Sequence, residues 1–114
     1  MLHRLTASVQ RLDAAELESE VEKLSCTKLN TLKLGELADV AGRLRCVVYT
    51  PTDNVPLLEA DLFDGSAEIA LVWLGRRRIP GIEPGRRIVA RGRVGLHNGR
   101  LAIYNPRYEL QCGA

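Results

Sequence analysis

The chain has 114 residues, enough for one domain of ordinary size, and its composition of 46% hydrophobic and 26% charged residues is typical of a globular protein. This composition excludes a chain that is disordered throughout, and no apolar run approaches the roughly 20 residues that cross a bilayer. The formal net charge is only +2, so a strongly basic surface requires that the charges be placed unevenly.

Cysteine and histidine usage gives no sign of a covalent framework or a metal. The chain has three cysteines, Cys26, Cys46 and Cys112, which is an odd number without a C-x-x-C pair, and this argues against a disulfide framework and a zinc ribbon. His3 and His97 have no cysteine at ligand spacing, so we predict neither a metal site nor a cofactor. Residues 1–12 lack the apolar core of a signal peptide, and we expect a reduced, cytoplasmic protein.

The first 24 residues have a helical hydrophobic pattern. Apolar residues recur at three- and four-residue intervals: Leu2, Leu5, Val9, Leu12, Leu17, Val21 and Leu24. Asp13 and Glu16 match a capping box, which predicts a helix start at Asp13, so the segment forms either two short helices or one long one. Residues 25–34 have weak periodicity and predict a connector. We therefore expect a helical extension and connector over residues 1–34, followed by a β domain over residues 35–112.

Five strands are predicted in the β domain. The first covers residues 40–49, and the second, 58–63, alternates Leu58, Ala60 and Leu62 with polar residues. Asp64-Gly65 supplies a turn into the third strand, 68–74, while Asn98-Gly99 is a hairpin signal between the fourth, 87–96, and the fifth, 101–104. Residues 50–56 predict a loop, and residues 75–85, rich in glycine and proline, predict a turn or a short helical cap. Glycines inside the first and fourth strands favour a small closed barrel.

Four runs then carry a resemblance to a known family: VAGRLRCV, LFDGSAEIALVWLG, GIEPGRRIVARGRV and NGRLAIYNPRYEL. In order and spacing they resemble the OB-fold (oligonucleotide/oligosaccharide-binding) family, in the branch that forms the anticodon-binding barrel of some aminoacyl-tRNA synthetases and the wedge domain of the helicase RecG. The likeness covers about residues 35–110 and is similar to small stand-alone bacterial proteins of this fold. It implies an all-β protein with an N-terminal helical extension and a five-stranded OB-fold Greek-key barrel.

The chain departs from the family pattern in the loop formed by residues 50–56. Family members that pry apart a nucleic-acid junction carry an aromatic residue on an extended loop, whereas residues 50–56 contain none and Tyr49 lies only at the shoulder of that loop. Junction remodelling is therefore not expected. The chain also contains neither a synthetase catalytic domain nor a helicase motor, and no Ser, His and Asp set stands out, so we do not expect an enzyme.

Arginine placement supplies the candidate site. Residues 76–108 contain nine arginines and one acid, Glu83. The candidate set comprises arginines on one side of the first and fourth strands, the triple arginine after the third strand, and two outward-facing aromatic rings. Its members are Arg43, Arg45, Tyr49, Phe63, Arg76, Arg77, Arg78, Arg91 and Arg93.

Each group of candidates has a structural alternative. For Arg43 and Arg45, ion pairing with acids of neighbouring strands is as good an interpretation as phosphate binding; these acids are Glu59, Asp61 and Glu68. Arg91 and Arg93, on the fourth strand, lie in the half of the chain that is poor in acids. The triple arginine would otherwise be a solvent-exposed turn, and Trp73 is interpreted as a packing residue.

These observations predict a non-catalytic module that binds single-stranded DNA or RNA. Only five residues are Phe, Trp or Tyr, which is few for a platform that reads several bases, so we expect little sequence specificity. The alternative is a protein–protein adaptor or oligomerisation barrel, in which residues 1–24 form a homodimer or dock a protein partner. No membrane partner is expected.

Overall fold

The structure, a computed structural model, describes residues 14–17 and 25–111. Residues 14–17 are helical, and a 3-10 turn at Leu29–Thr31 precedes six strands, which are β1 (Leu37–Thr50), β2 (Leu57–Phe63), β3 (Glu68–Leu74), β4 (Arg87–His97), β5 (Arg100–Tyr104) and β6 (Arg107–Leu110). Most of the predicted helical extension, and Cys112, lie outside the described residues. Within the described part of the chain, no helix is long and apolar enough to cross a membrane.

The strands form one sheet that closes into a ring. Their order is β1-β2-β3-β5-β4-β6, and an additional pairing of β1 with β4 joins the two sides. All pairs are antiparallel except β3 with β5. The long strand β1 makes closure feasible because it serves two neighbours: its first half, residues 37–43, pairs with β4, and residues 43–50 pair with β2.

Gly42 lies at the position where β1 passes from one neighbour to the other. A Cβ atom placed on Gly42 would overlap the carbonyl oxygen of Phe63 on β2, so only glycine allows this close approach. Just beyond it, the β1–β2 register shifts between Leu44 and Val47, as in a β-bulge. The sequence predicts one unbroken alternation through residue 49, and the structure corrects this: Val47 and Tyr49, beyond the shift, pack on the core side.

The sequence predicts five strands, and the structure has six. The additional strand β6 follows the bend at Asn105 and pairs with β4 opposite residues 88–91. Its short run of residues 107–110 carries two charged side chains and little alternation, so it has no strand signature of its own. Tyr108 of β6 packs edge-on against Trp73, with ring centroids 5.8 Å apart. Trp73 is 4% exposed, as expected of a packing residue.

Turn chemistry follows the sequence closely. Strand β3 has the predicted bounds, and the β4–β5 hairpin turns at Asn98 and Gly99, whose φ angles of 52° and 80° are both positive, as a type I′ turn requires. Residues 75–86 contain no helix and connect β3 to β4 through turns.

Two segments close the ring at its opposite ends. Ile79 and Ile82, from the β3–β4 connection, are buried in the main core at the end where β3 stops. Leu29 and Leu32 join the same core at the other end, beside the β2–β3 turn. Within residues 25–111, a 3-10 turn and the β3–β4 connection thus cover the two ends of the core.

Candidate nucleic-acid interface

The outer surface of β2, β3 and β5 carries acids, two of which form ion pairs with arginines. The Nη1 atom of Arg100 lies 3.0 Å from Oδ1 of Asp61, and its Nη2 atom lies 3.5 Å from Oε1 of Glu68. Arg45 reaches the same Glu68 side chain at 3.3 Å. We call this surface, Glu59, Asp61, Glu68, Arg45 and Arg100, the ion-paired face. Since its acids repel phosphate and occupy its arginines, it is poorly suited to capture an anionic strand.

Arg45 and Phe63 are both on the outside of the ring, as the sequence predicts. Phe63 is half-buried, and the guanidinium of Arg45 lies over its ring, 4.1 Å from the centroid. One face of the Phe63 aromatic ring is therefore already covered by a cation. Arg43 pairs in register with Phe63 on one side and with Arg87 on the other, at the crossing point of β1.

Arg91 and Arg93 both fasten the start of β1 onto β4. The Nη1 atom of Arg91 donates to both carboxylate oxygens of Asp39, at 3.0 and 2.8 Å. Arg93 donates to the carbonyl oxygen of Gly35 at 2.7 Å. The sequence places these arginines in an acid-poor stretch, but the β1–β4 register sets Asp39 directly opposite Arg91. Both pairs are solvent-exposed, so they leave guanidinium donors accessible.

A groove of about 360 Å³ lies at the end of the ring that Ile79 and Ile82 close. We call it the end groove, and its lining is Val47, Tyr49, Leu58, Arg77, Arg78, Ile79 and Ile82. The guanidinium of Arg77 lies 5.7 Å from the centroid of the Tyr49 ring. The bulge in β1 is what turns Tyr49 toward this groove and away from the outer surface of the strand.

The triple arginine differs from Arg45 and Arg91 in having no acid partner among the residues that the structure describes. Arg76, Arg77 and Arg78 are exposed, and none of them has a hydrogen bond or an ion pair to residues 14–17 or 25–111. Adjacent like charges repel, so an anion placed among them is stabilised. The end groove therefore combines an apolar floor, one aromatic ring and two cationic side chains. Such a site accommodates a flat ring and an attached negative group.

The structure thus separates the sequence candidates. Arg45 lies on the ion-paired face with its guanidinium over Phe63, Arg91 and Arg93 hold β1 on β4, and Arg43 lies at the crossing point of β1. Tyr49, Arg77 and Arg78 line the end groove, and Arg76 precedes them on the chain. Sequence reasoning misses the apolar floor, although two isoleucines in a polar, proline-rich segment are a signal that this connection is anchored in the core.

Comparison with known proteins identifies a solved structure with a similar fold. No protein-family model matches the chain. No curated protein matches it either. Among solved structures, the chain is similar to RecG in a structure of RecG bound to a three-way DNA junction, with 25% sequence identity and a TM-score of 0.65. The match covers 76% of this chain and 13% of the RecG chain, so the likeness is to one small part of a much longer protein. The chain therefore shares the fold of that part of RecG.

Proposed function

We propose that this chain is a non-catalytic OB-fold module that binds single-stranded DNA or RNA with little sequence specificity. The strand order β1-β2-β3-β5-β4, closed by the β1–β4 pairing, supports the OB-fold assignment. The similar structure is of RecG bound to a DNA junction, which supports a nucleic-acid ligand. Because fold alone does not establish function, the proposal depends on the end groove.

The single observation that carries the proposal is the pairing of Tyr49 with cations that have no acid partner. The Tyr49 ring lies under the guanidinium of Arg77 at the edge of an apolar groove. A nucleotide presents the same two chemistries together, a flat base and a phosphate, at a separation that neighbouring side chains span. Base stacking on an aromatic ring contributes about 1 to 3 kcal/mol, and the arginines add a salt-sensitive electrostatic contribution.

Single strands suit this groove better than duplexes. Bases in a duplex are stacked on one another, so an aromatic ring reaches a base face only when the base is unpaired. Specificity is expected to be low because the lining offers stacking and phosphate contacts, and its side chains are mainly aliphatic ones that form no hydrogen bonds with base edges.

Fluorescence anisotropy with a labelled oligonucleotide tests the proposal. A thymine oligomer of about 15 nucleotides spans the usual site of one such barrel. If the three arginines each neutralise one phosphate, log affinity falls with log salt at a slope of about −2, since each contact contributes about −0.7. Absence of binding, or binding that does not respond to salt, would overturn the proposal. Equal affinity for a duplex of the same length would overturn its single-strand preference.

A further inference from the structure

A second groove, of about 430 Å³, lies beside the ring where the start of β1, β4 and the β5–β6 junction meet. We call it the side groove, and its lining is Leu37, Arg91, Gly92, Arg93, Tyr104, Asn105 and Arg107. Three of these seven residues are arginines and one, Tyr104, is an exposed aromatic, so the side groove, like the end groove, combines arginines with an aromatic ring. Of the nine-residue set predicted from the sequence, Arg91 and Arg93 line it.

Tyr104 is held in a fixed position in this groove. Its hydroxyl donates to the carbonyl oxygen of Leu96 at 3.0 Å, and its ring lies over β4, 3.9 Å from where a Cβ atom of Gly95 would stand. The side chain is nevertheless 38% exposed. A ring with one face on the protein backbone and with its hydroxyl tethered loses little conformational entropy when a base stacks on its free face.

His97 reinforces this arrangement. Its Nδ1 atom lies 2.9 Å from the Tyr104 hydroxyl, and its Nε2 atom lies 3.3 Å from Oε2 of Glu59. Because the hydroxyl proton is used toward Leu96, the hydroxyl accepts a hydrogen bond from the Nδ1–H group of His97. The two rings meet edge to face at 5.7 Å. Tyr104 is thereby tied to His97 on β4, in addition to its hydrogen bond to Leu96.

The side groove also has an excess of positive charge. Asp39 offsets Arg91, and Arg93 donates to a neutral carbonyl group. Arg107 has neither a hydrogen bond nor an ion pair to any residue in the described ranges 14–17 and 25–111, and it is exposed. Two guanidinium charges therefore remain unmatched beside the Tyr104 ring, which favours a phosphate at that position.

The two grooves are linked through one contact. Asn105, which lines the side groove, accepts a hydrogen bond from the backbone N–H of Leu74 at 2.9 Å, and the triple arginine begins two residues after Leu74. Arg76 therefore stands on the chain between the Asn105 contact and the arginines of the end groove. A nucleic-acid single strand that passes over Leu74 and Asn105 meets arginines without acid partners on both sides.

We propose that the side groove binds a further nucleotide of the same single strand, with its base stacked on Tyr104 and its phosphate against Arg93 and Arg107. This inference rests on the proposed function. It assigns the strand a path from the end groove, over Leu74 and Asn105, to the β4–β6 side of the ring. The ion pairs of Arg45 and Arg100 with Glu68 and Asp61 lie outside that path.

Three variants of the full chain test the path with the same labelled thymine oligonucleotide. Tyr104→Ala removes the stacking ring and is expected to weaken binding about 10-fold, whereas Tyr104→Phe keeps the ring and stays within about 3-fold of wild type. Arg107→Gln is expected to make the salt slope shallower by about 0.7, the value of one phosphate contact. Arg107 is exposed and has neither a hydrogen bond nor an ion pair to the described residues, so Arg107→Gln is expected to leave the fold intact.

The outcomes separate this inference from the proposed function. If wild type binds the oligonucleotide and Tyr104→Ala and Arg107→Gln bind as tightly with an unchanged slope, the side groove is not part of the site and only this inference falls. If Tyr104→Phe weakens binding as much as Tyr104→Ala, the hydroxyl contacts and not the ring are responsible, which also overturns stacking. If wild type binds no oligonucleotide, both proposals fall. Urea unfolding of each variant verifies that the folded state is retained.

Discussion

The buried carboxylate of Asp64 accepts a hydrogen bond from the backbone N–H of Leu29 at 2.8 Å, which joins the β2–β3 turn to the segment that enters β1. The second oxygen of Asp64 accepts three more hydrogen bonds, from the N–H and hydroxyl groups of Ser66 and from the N–H of Ala67. Asp64 is 0% exposed and is the only polar residue in the described ranges that is classed as buried. One carboxylate thus satisfies three backbone donors and holds one end of the ring closed.

Replacing Asp64 should destabilise the fold strongly. Asp64→Ala leaves buried N–H groups without partners, and we expect it to lower the free energy of unfolding by about 3 kcal/mol, with Asp64→Asn costing about 2 kcal/mol because its amide offers one acceptor in place of two. Urea unfolding measures both. Asp53, an exposed acid in the β1–β2 loop, is the matched control, and Asp53→Asn is expected within about 0.5 kcal/mol of wild type. Similar values for the two sites would contradict this account.

The crossing of β1 at Gly42 gives a second stability prediction. Gly42→Ala drives a methyl group into the carbonyl oxygen of Phe63, and we expect a loss of about 2 to 3 kcal/mol as the two strands separate. Gly95→Ala on β4 is the comparison, because its methyl group meets the Tyr104 ring at an ordinary 3.9 Å, and its cost is expected below about 1 kcal/mol. Thermal unfolding of both variants measures the difference. A larger shift for Gly95→Ala would show that β1 tolerates a wider approach at its crossing.

Arginines with and without acid partners should contribute differently to binding. Arg77→Gln removes an unpaired guanidinium from the end groove, and we expect weaker oligonucleotide binding with a salt slope shallower by about 0.7. Arg45→Gln removes an arginine whose charge Glu68 already offsets, so the slope should stay unchanged. Anisotropy titrations at several salt concentrations compare the two. If Arg45→Gln makes the salt slope as much shallower as Arg77→Gln does, the oligonucleotide crosses the ion-paired face.

The thiol of Cys26 should react slowly with alkylating reagents. Burial, assisted by the negative charge of Asp39, raises the pKa of Cys26, so less of the reactive thiolate is present near neutral pH. Cys46 is exposed. At pH 8, mass spectrometry of iodoacetamide-treated protein is expected to find Cys46 modified before Cys26. The Cys26 rate should rise as the pH approaches its raised pKa, and unfolding in urea should remove the difference. Equal rates in the folded protein would exclude this environment for Cys26.

Much of the strand framework can be predicted from local sequence. The alternation of Leu58, Ala60 and Leu62, the bounds of β3 and the Asn98-Gly99 turn all depend on neighbours within a few residues, and the structure confirms them. The outward position of Phe63 follows from the same period-two logic. Trp73 is buried as expected of a lone tryptophan on a central strand, although β3 shows no alternation because all residues from Ile69 to Trp73 are buried. The concentration of arginine after β3 is likewise visible without coordinates.

What the sequence by itself determined is therefore which residues form strands and where arginine is abundant. Only the tertiary structure decided which arginines remain unpaired, because ion pairing depends on a register that brings Asp39 beside Arg91 across 52 residues. The β-bulge that turns Tyr49 into the end groove, and the strand β6 that places Arg107 beside Tyr104, also depend on closure of the ring. Closure is a long-range event, since β1 must meet β2 and β4 at once, and no local pattern records it.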